Sequence, residues 1–551
     1  MTLETESRPG SGVVPAREAR AVPARWRFST RGIALRLFLT CWLIYTLHFA
    51  TNTAREIYLA LALGDHLSFR VDEYANMHPD LFEMPGRGWH MNNNPGASMV
   101  AAIPYALARP LIDPIVTEVN RQRAASGLTE PPEYDSSWPM AREFYAEAWR
   151  RGYDVKFGLA AFVMQAFCMA PISALGVVVM FLLLRIVFLS DKTAAWMSLL
   201  YAFGTPVFFR TGYLNQNMML GHIAFAGFVA MWNPRNSLQW SMRRRTFLGG
   251  LAGGMALLFD YSGAVLLLGL LGYGLIRQIQ DGAHGLSGRG IRACLGSGLW
   301  YVLGSLAPIG LLWFYQWKSF GDPFLPPQHW MPPVELSQFG YQGLGLPQPE
   351  LFLMLAFDHR FGVFVSSPLM ILAIVCPFVG LRTGRGRTRA EQRTAGELLP
   401  KRELFFILVL FAAFWLFLSG NNYTWLQFNT GIRYMTSMLP FLFVPAAVVL
   451  ARLPRFAIGF LALLSITESW SLAMYRDVES SLGLLNPLLY TFIKGFQLPA
   501  LDTLSRMGTA YGDYAAHGVS PLPLFALAGA VLYGLWSDRL WGRDSGSRRP
   551  S

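Results

Sequence analysis

Residues 246–276 read TFLGGLAGGMALLFDYSGAVLLLGLLGYGLI. The run is apolar except at Asp260-Tyr261-Ser262-Gly263, and its division sets the topology of everything that follows. Read as one helix, it puts the arginine-rich loops that follow it on the opposite side from those that precede it. Read as two short helices, 246–259 and 262–276, it leaves every basic cluster on one side, the pattern of loops facing the cytoplasm. A polar break at depth is tolerated where it lines an aqueous cavity. Charge parity favours two helices.

Working outward, candidate spans are 33–52, 157–188, 193–209 and 218–232 before this pair. After it come 293–316, 361–381, 404–420, 435–452, 455–475 and 521–537. Arg25, Arg27, Arg31 and Arg36 precede or open the first span, and Arg243, Arg244 and Arg245 follow the fourth. Arg277, Arg289 and Arg292 follow the sixth, the loop Arg382 to Arg402 follows the eighth, and Arg452 and Arg455 flank the turn after the tenth. Arg539, Arg543, Arg548 and Arg549 close the chain. Twelve spans with both termini in the cytoplasm satisfy all of these. The expected class is an all-α integral membrane protein, with a cytoplasmic tail at 1–30, a membrane domain at 31–538 and a second tail at 539–551.

Composition agrees. The 551 residues are 53% hydrophobic and 15% charged, against about 25% charged in soluble domains. The net charge of +12 sits in short loops between apolar blocks rather than along a stripe, which speaks against nucleic acid as a partner. Cys41, Cys168, Cys294 and Cys376 fall in apolar segments without ligand spacing, so neither a disulfide framework nor a zinc site is expected. The first 25 residues lack apolar periodicity and read as a disordered tail. No cleavable signal precedes the first span. Gly249-Gly250 and Gly253-Gly254 read as close helix packing.

This topology leaves large loops outside at 54–156 and 317–360, with a less polar one at 476–520. The first holds helix-like stretches at Arg55–Leu63, Ser98–Leu111 and Met140–Arg151, suited to lying along the interface. It also carries Asp72 and Glu73, which are either a general base and its neighbour or solvated acids capping a short helix. Arg433, at the mouth of a span on the outer side, calls for an anionic partner. A phosphate matches its fork, and snorkelling to headgroups is the plainer alternative. Lys318, Gly321-Asp322-Pro323, His329 and Asp358-His359-Arg360 supply further polar groups, interleaved with Trp317, Trp330, Phe339 and Tyr341. His222 and Asp260 are ionisable groups within spans and are functional suspects on that ground. No nucleotide-binding motif is present.

Four pieces, in chain order, resemble the bacterial GT-C superfamily of membrane glycosyltransferases, the group of protein O-mannosyltransferases and aminoarabinose transferases. They are Val71-Asp72-Glu73-Tyr74; Gly88-Trp89-His90 with Asn94-Pro95-Gly96 and Ile103-Pro104-Tyr105; Gly321-Asp322-Pro323 with Arg360-Phe361-Gly362 and Ser366-Ser367-Pro368; and Gly431-Ile432-Arg433-Tyr434 with Leu439-Pro440-Phe441. Ile432 stands where Pro is usual, and Asn94 where many relatives carry Lys or a small residue.

The resemblance implies inverting transfer of a hexose or pentose from a polyprenyl-phosphate-linked sugar. The acceptor would be a lipid, glycan or protein at the outer face of a bacterial inner membrane. It implies Asp72 as base beside Glu73, Arg433 and Tyr434 at the lipid phosphate, and His90, Asn94, His329 and Arg360 as further substrate contacts. It requires no cofactor or metal. A transporter or flippase for lipids or lipid-linked sugars is the alternative that twelve spans also allow.

Overall fold

The computed structural model describes residues 28–51, 55–128, 130–136, 138–281, 288–382, 399–427, 430–475 and 482–537. Both tails, most of the 382–402 loop and the last four arginines lie outside them. Helices dominate; among the described residues the only sheet is a hairpin of Leu81–Met84 and Gly88–Met91. This is an all-α membrane architecture.

Most sequence-derived spans fall on helix, but 193–209 is divided between Asp191–Phe203 and Val207–Thr211, and 361–381 is built of the short pieces Val363–Ser366 and Pro368–Met370 followed by Ile371–Arg382. The first is Thr30–Leu47, its start capped by Ser29 Oγ accepting from Gly32 N at 3.1 Å. The second forms part of an apolar stretch at Asp154–Phe188, interrupted by one π turn at Gln165–Met169. There the Gln165 amide donates to the Tyr45 and Thr211 carbonyls at 2.9 and 3.0 Å, tying three segments together where the helical ladder loosens. The run at 246–276 does break: Met242–Phe259 ends at Asp260, and Gly263–Asp281 starts after it. Asp260 Oδ1 accepts from Ser262 N at 2.9 Å, so the carboxylate itself holds the turn.

Among the described residues, six helices are long and apolar enough to cross a membrane, by length and composition. One is Gly96–Ala125, which differs from the sequence expectation of a short interfacial stretch at Ser98–Leu111. Glu56–His66 differs too. Its residues from Glu56 to Ala62 are all buried, because a helix apolar on every side has no face to offer water.

The glycine pairs behave as the sequence suggested. A methyl on Gly250 would overlap the Tyr301 carbonyl oxygen, and one on Gly254 would lie 2.8 Å from that of Ser305. The Met242–Phe259 and Gly288–Phe320 helices therefore approach backbone to backbone, and dispersion along the seam replaces the hydrophobic drive that lipid cannot supply. The opposite faces of Met242–Phe259 pack on Gln216–Trp232 and Gly263–Asp281.

Candidate active site

The hairpin sets the geometry. Its register pairs Leu81 with Met91, which brings Asp80 beside Asn92: Asn92 N donates to Asp80 O, and Asn92 Nδ2 to Asp80 Oδ1, both at 3.0 Å. The second carboxylate oxygen accepts from Arg55 Nη1 at 3.0 Å. Arg55 opens the helix after the first span and also pairs with Glu56 at 3.2 Å. Glu56 Oε1 accepts from Asn93 Nδ2 at 3.0 Å, Asn93 reaches Gln216, and Gln216 Nε2 donates to Asp260 Oδ2 at 2.6 Å. One buried polar chain thus runs from the first outer loop to the break between spans.

Arg433 faces this chain from the far end of the sequence. Its charge acts on Asp80 and His78, and Tyr434 lies within electrostatic reach of Arg433, Arg55, Asp260 and Asp80. Burial works to raise the Asp80 carboxyl, yet Arg55, His78, the Asn92 hydrogen bond and Arg433 together hold it below its ordinary value. The balance comes from paired charge outweighing desolvation. Burial lowers His78, helped by Arg55 and opposed by Asp80, which favours the neutral ring.

Arg433 is aimed by its surroundings. Gly431 has φ +90°, a conformation that suits glycine. The buried Arg210 donates to the Gly431 and Ile432 carbonyls, both at 2.6 Å. Ile432 N donates to Ser366 Oγ at 3.1 Å, and Gly431 N to Arg360 O at 2.6 Å. Arg433 Nη1 donates to Leu426 O at 2.7 Å, and its guanidinium lies 4.9 Å from the Tyr434 ring centre.

The other sequence-derived residues sit as follows. Asp72 is half-exposed, pairs with Arg70 at 2.6 Å and accepts from Trp89 N at 2.7 Å. That is the opposite end of the hairpin, three residues from Asn92, or about 10 Å along a strand. Glu73 meets His66 Nε2 at 2.8 Å. His90 is buried between the Phe69 and Arg87 carbonyls. Asn94 is fully buried and donates to Leu257 O at 2.6 Å, joining the outer loop to the end of a span. His329 is exposed, 3.3 Å from Tyr341 Oη; two neighbours in its loop, Gln328 and Met331, touch Asn92. The Arg360 side chain pairs with Asp358 at 3.3 Å, and its carbonyl, not its charge, reaches the Arg433 turn. His222 is buried against Gly176 and Tyr201.

Asp65, His66 and Glu73 place one ligand atom each within 4.8 Å of one another, a spacing a cation can use. Asp65 is already engaged by Lys156 at 2.7 Å and by Tyr105 at 2.8 Å.

Residues 120–289, about a third of the chain, match the model of the dolichyl-phosphate-mannose-protein mannosyltransferase family. Solved structures of ArnT from Cupriavidus metallidurans are similar in outline. The apo form aligns at TM-score 0.41 and 13% identity, and the form bound to undecaprenyl phosphate at 0.42 and 15%. Each alignment covers 93% of this chain and 76% of the ArnT chain. No curated protein matches by sequence.

The sequence reading passed over Arg55, Glu56, Asp80, Asn93 and Arg210. One signal was available: Arg55-Glu56 is a charged pair opening an apolar helix just beyond the first span.

Proposed function

We propose that this GT-C-like chain transfers a sugar from a polyprenyl-phosphate donor to an acceptor at the outer face of a bacterial inner membrane, with inversion. In this reading both termini face the cytoplasm, the side to which the arginine-rich loops are assigned. The observation that carries the reading is the ion pair of Asp80 with Arg55, within electrostatic reach of Arg433, on a polar chain reaching Asp260. An anionic proton acceptor and two guanidinia within one cluster are the parts such a transfer needs.

In this reading an acceptor hydroxyl attacks the anomeric carbon. The bond from that carbon to the phosphate oxygen breaks, and its electron pair leaves with the polyprenyl phosphate. The acceptor proton passes to Asp80. Arg433 and Arg55 stabilise the charge that grows on the leaving phosphate. As they turn to the phosphate, less of their field acts on Asp80, which then accepts a proton more readily. Tyr434 lines the same side. Asn94, buried against Leu257, holds the loop to the span; His329, in the loop that touches Asn92, and Arg360, whose carbonyl holds the Arg433 turn, are the further candidate substrate contacts. The chemistry calls for no cofactor.

Asp72, with Glu73 beside it, is the other carboxylate to which the resemblance assigns the base. The test sets the two side by side. Purified chain is given polyprenyl-phosphate hexoses and pentoses, and polyprenyl phosphate release is measured for the native chain, Asp80→Asn and Asp72→Asn. The reading expects Asp80→Asn to lose on the order of 10²–10⁴-fold in rate while Asp72→Asn changes little. The reverse order moves the base to Asp72. No release from any donor replaces transfer with transport.

A further inference from the structure

Residues 482–498 read LGLLNPLLYTFIKGFQL, within the 476–520 loop that the sequence reading leaves outside the bilayer. Lys494 is the one charged residue in this stretch. Leu485–Lys494 folds as a helix of ten residues, about 15 Å long and half of what a crossing needs. Its apolar stripe faces outward, not into the protein. Leu485, Leu489, Phe492 and Ile493 are exposed on one side, Phe492 at 80% and Ile493 at 75%. Phe496, also exposed, follows the turn at Gly495. Polar side chains make the protein contacts instead: Thr491 Oγ1 donates to Ser471 Oγ at 3.0 Å, and the Tyr490 ring lies 5.8 Å from that of Tyr475. A helix bathed in water turns such a stripe to the core, and an exposed row of large apolar side chains marks a surface with another neighbour.

Where the helix is held identifies that neighbour. It packs on the end of Arg455–Met474 far from Arg455, and Tyr475, just past that end, donates through Oη to Gly495 O at 2.5 Å. Phe496 meets Phe525 in the first turn of Leu522–Trp536, with ring centres 6.4 Å apart. Leu484 N donates to His359 O at 3.1 Å and fixes the start of the helix. The segment therefore sits where two apolar helices end. Both of those helices expose large apolar side chains, Phe460 and Leu463 on one, Leu524 and Leu527 on the other, as lipid-facing helices do. The Lys494 ammonium lies 4.4 Å from the Tyr490 ring centre, and its long apolar stem suits a charge reaching for headgroups from just below them.

We propose that Leu485–Phe496 is embedded in the membrane leaflet at the ends of these two helices, its exposed stripe buried among phospholipid acyl chains. An outward apolar stripe, the lack of acidic residues in 482–498 and continuity with two apolar helix flanks all fit hydrocarbon. A protein partner calls for a polar rim around an apolar centre, and Lys494 alone supplies charge here. The proposal is independent of the transfer chemistry, since its readout is contact with lipid.

The test replaces Phe492 with the photoreactive residue p-benzoylphenylalanine in the full chain, reconstituted in phosphatidylcholine vesicles. After irradiation and digestion, adducts are located by mass spectrometry. The peptide containing position 492 is expected to gain the mass of one phosphatidylcholine, joined through an acyl chain. The same replacement at Glu83, exposed in the hairpin, is the control and is expected to gain none. Joining through the headgroup alone, or no adduct at 492, would place the stripe outside the hydrocarbon and overturn the proposal. Equal lipid capture at Glu83 would make the adduct unselective and overturn it as well. An adduct to a second copy of the chain would replace lipid with an interface between copies. If the Phe492 variant does not fold, the replacement at Leu485, exposed on the same stripe, carries the test with the same outcomes.

Discussion

The two ends of the Gln216–Trp232 helix, about 25 Å apart for 17 residues, solve opposite electrostatic problems. At the Gln216 end, charges of both signs interlock: Arg55 with Asp80 and Glu56, and Gln216 with Asp260. At the Trp232 end, arginines from four segments share one open cavity. The first arrangement is preorganised, with its acids already oriented by hydrogen bonds. The second draws guanidinium groups from separate segments to one rim, where Arg277 and Arg245 reach the Met231 carbonyl. The contrast is between charges paired across segments and arginines gathered around one opening.

The sharpest way to break this comparison is to exchange the lesions. Asp80→Asn is expected to lower transfer, measured as polyprenyl phosphate release, by on the order of 10²–10⁴-fold. Arg235→Gln, exposed at the other end, is expected to leave it unchanged. A transfer rate that falls equally in both would show that the two ends are one functional unit.

Next in size is Arg210→Leu. It leaves the Gly431 and Ile432 carbonyls without their donor, and removing hydrogen bonds to a charged group costs about 3 kcal/mol. The unfolding temperature in detergent should fall, and donor binding should weaken through Arg433 without any contact to Arg210 itself. Unchanged donor binding would take Arg210 out of the positioning role.

Gly250→Ala probes the seam that carries both ends. The added methyl collides with the Tyr301 backbone, which flexible side chains cannot relieve, so about 2 kcal/mol is expected. Native stability in that variant would mean the two helices are further apart than described here.

The smallest effect is in pH. Asp80 is depressed in the folded chain, so its contribution is present above the unfolded carboxylate range and lost as pH falls through the lower folded value. His78 is also depressed; its neutral form is favoured on folding, and that contribution too is lost in acid. Stability from this cluster should begin to fall below the ordinary histidine value of 6.5, as the unfolded imidazole takes up a proton that the folded one resists, and fall further through and below the ordinary carboxylate range. In a thermal scan series, Asp80→Asn should flatten the acid limb. A limb unaltered by the substitution would assign acid sensitivity elsewhere.

Much of the architecture was legible beforehand. Span positions, the break at Asp260 and the close approach at Gly250 all rest on local properties: run length, a polar interruption and the absence of side chains. Arg433 was legible as a candidate, because a guanidinium at the mouth of a span on the outer side demands a partner. That Asp80 pairs with Arg55, and Asp72 with Arg70, was not. Asp72 and Asp80 are both loop acids within one short segment, and nothing in their neighbours along the chain separates them. Arg210 was hidden for a different reason, since it stands inside an apolar run and its two acceptors are more than two hundred residues away.

By itself, then, the sequence determined that this chain lives in a bilayer and where most of its apolar helical runs lie. Each of those follows from hydrocarbon thickness and from the cost of moving charge across it. Tertiary structure alone decided which charges meet. The hairpin register puts Asp80, rather than Asp72, against Arg55, and helix packing gathers arginines from four segments into one cavity. Such meetings depend on angles and distances between elements, to which no single stretch of sequence holds the key.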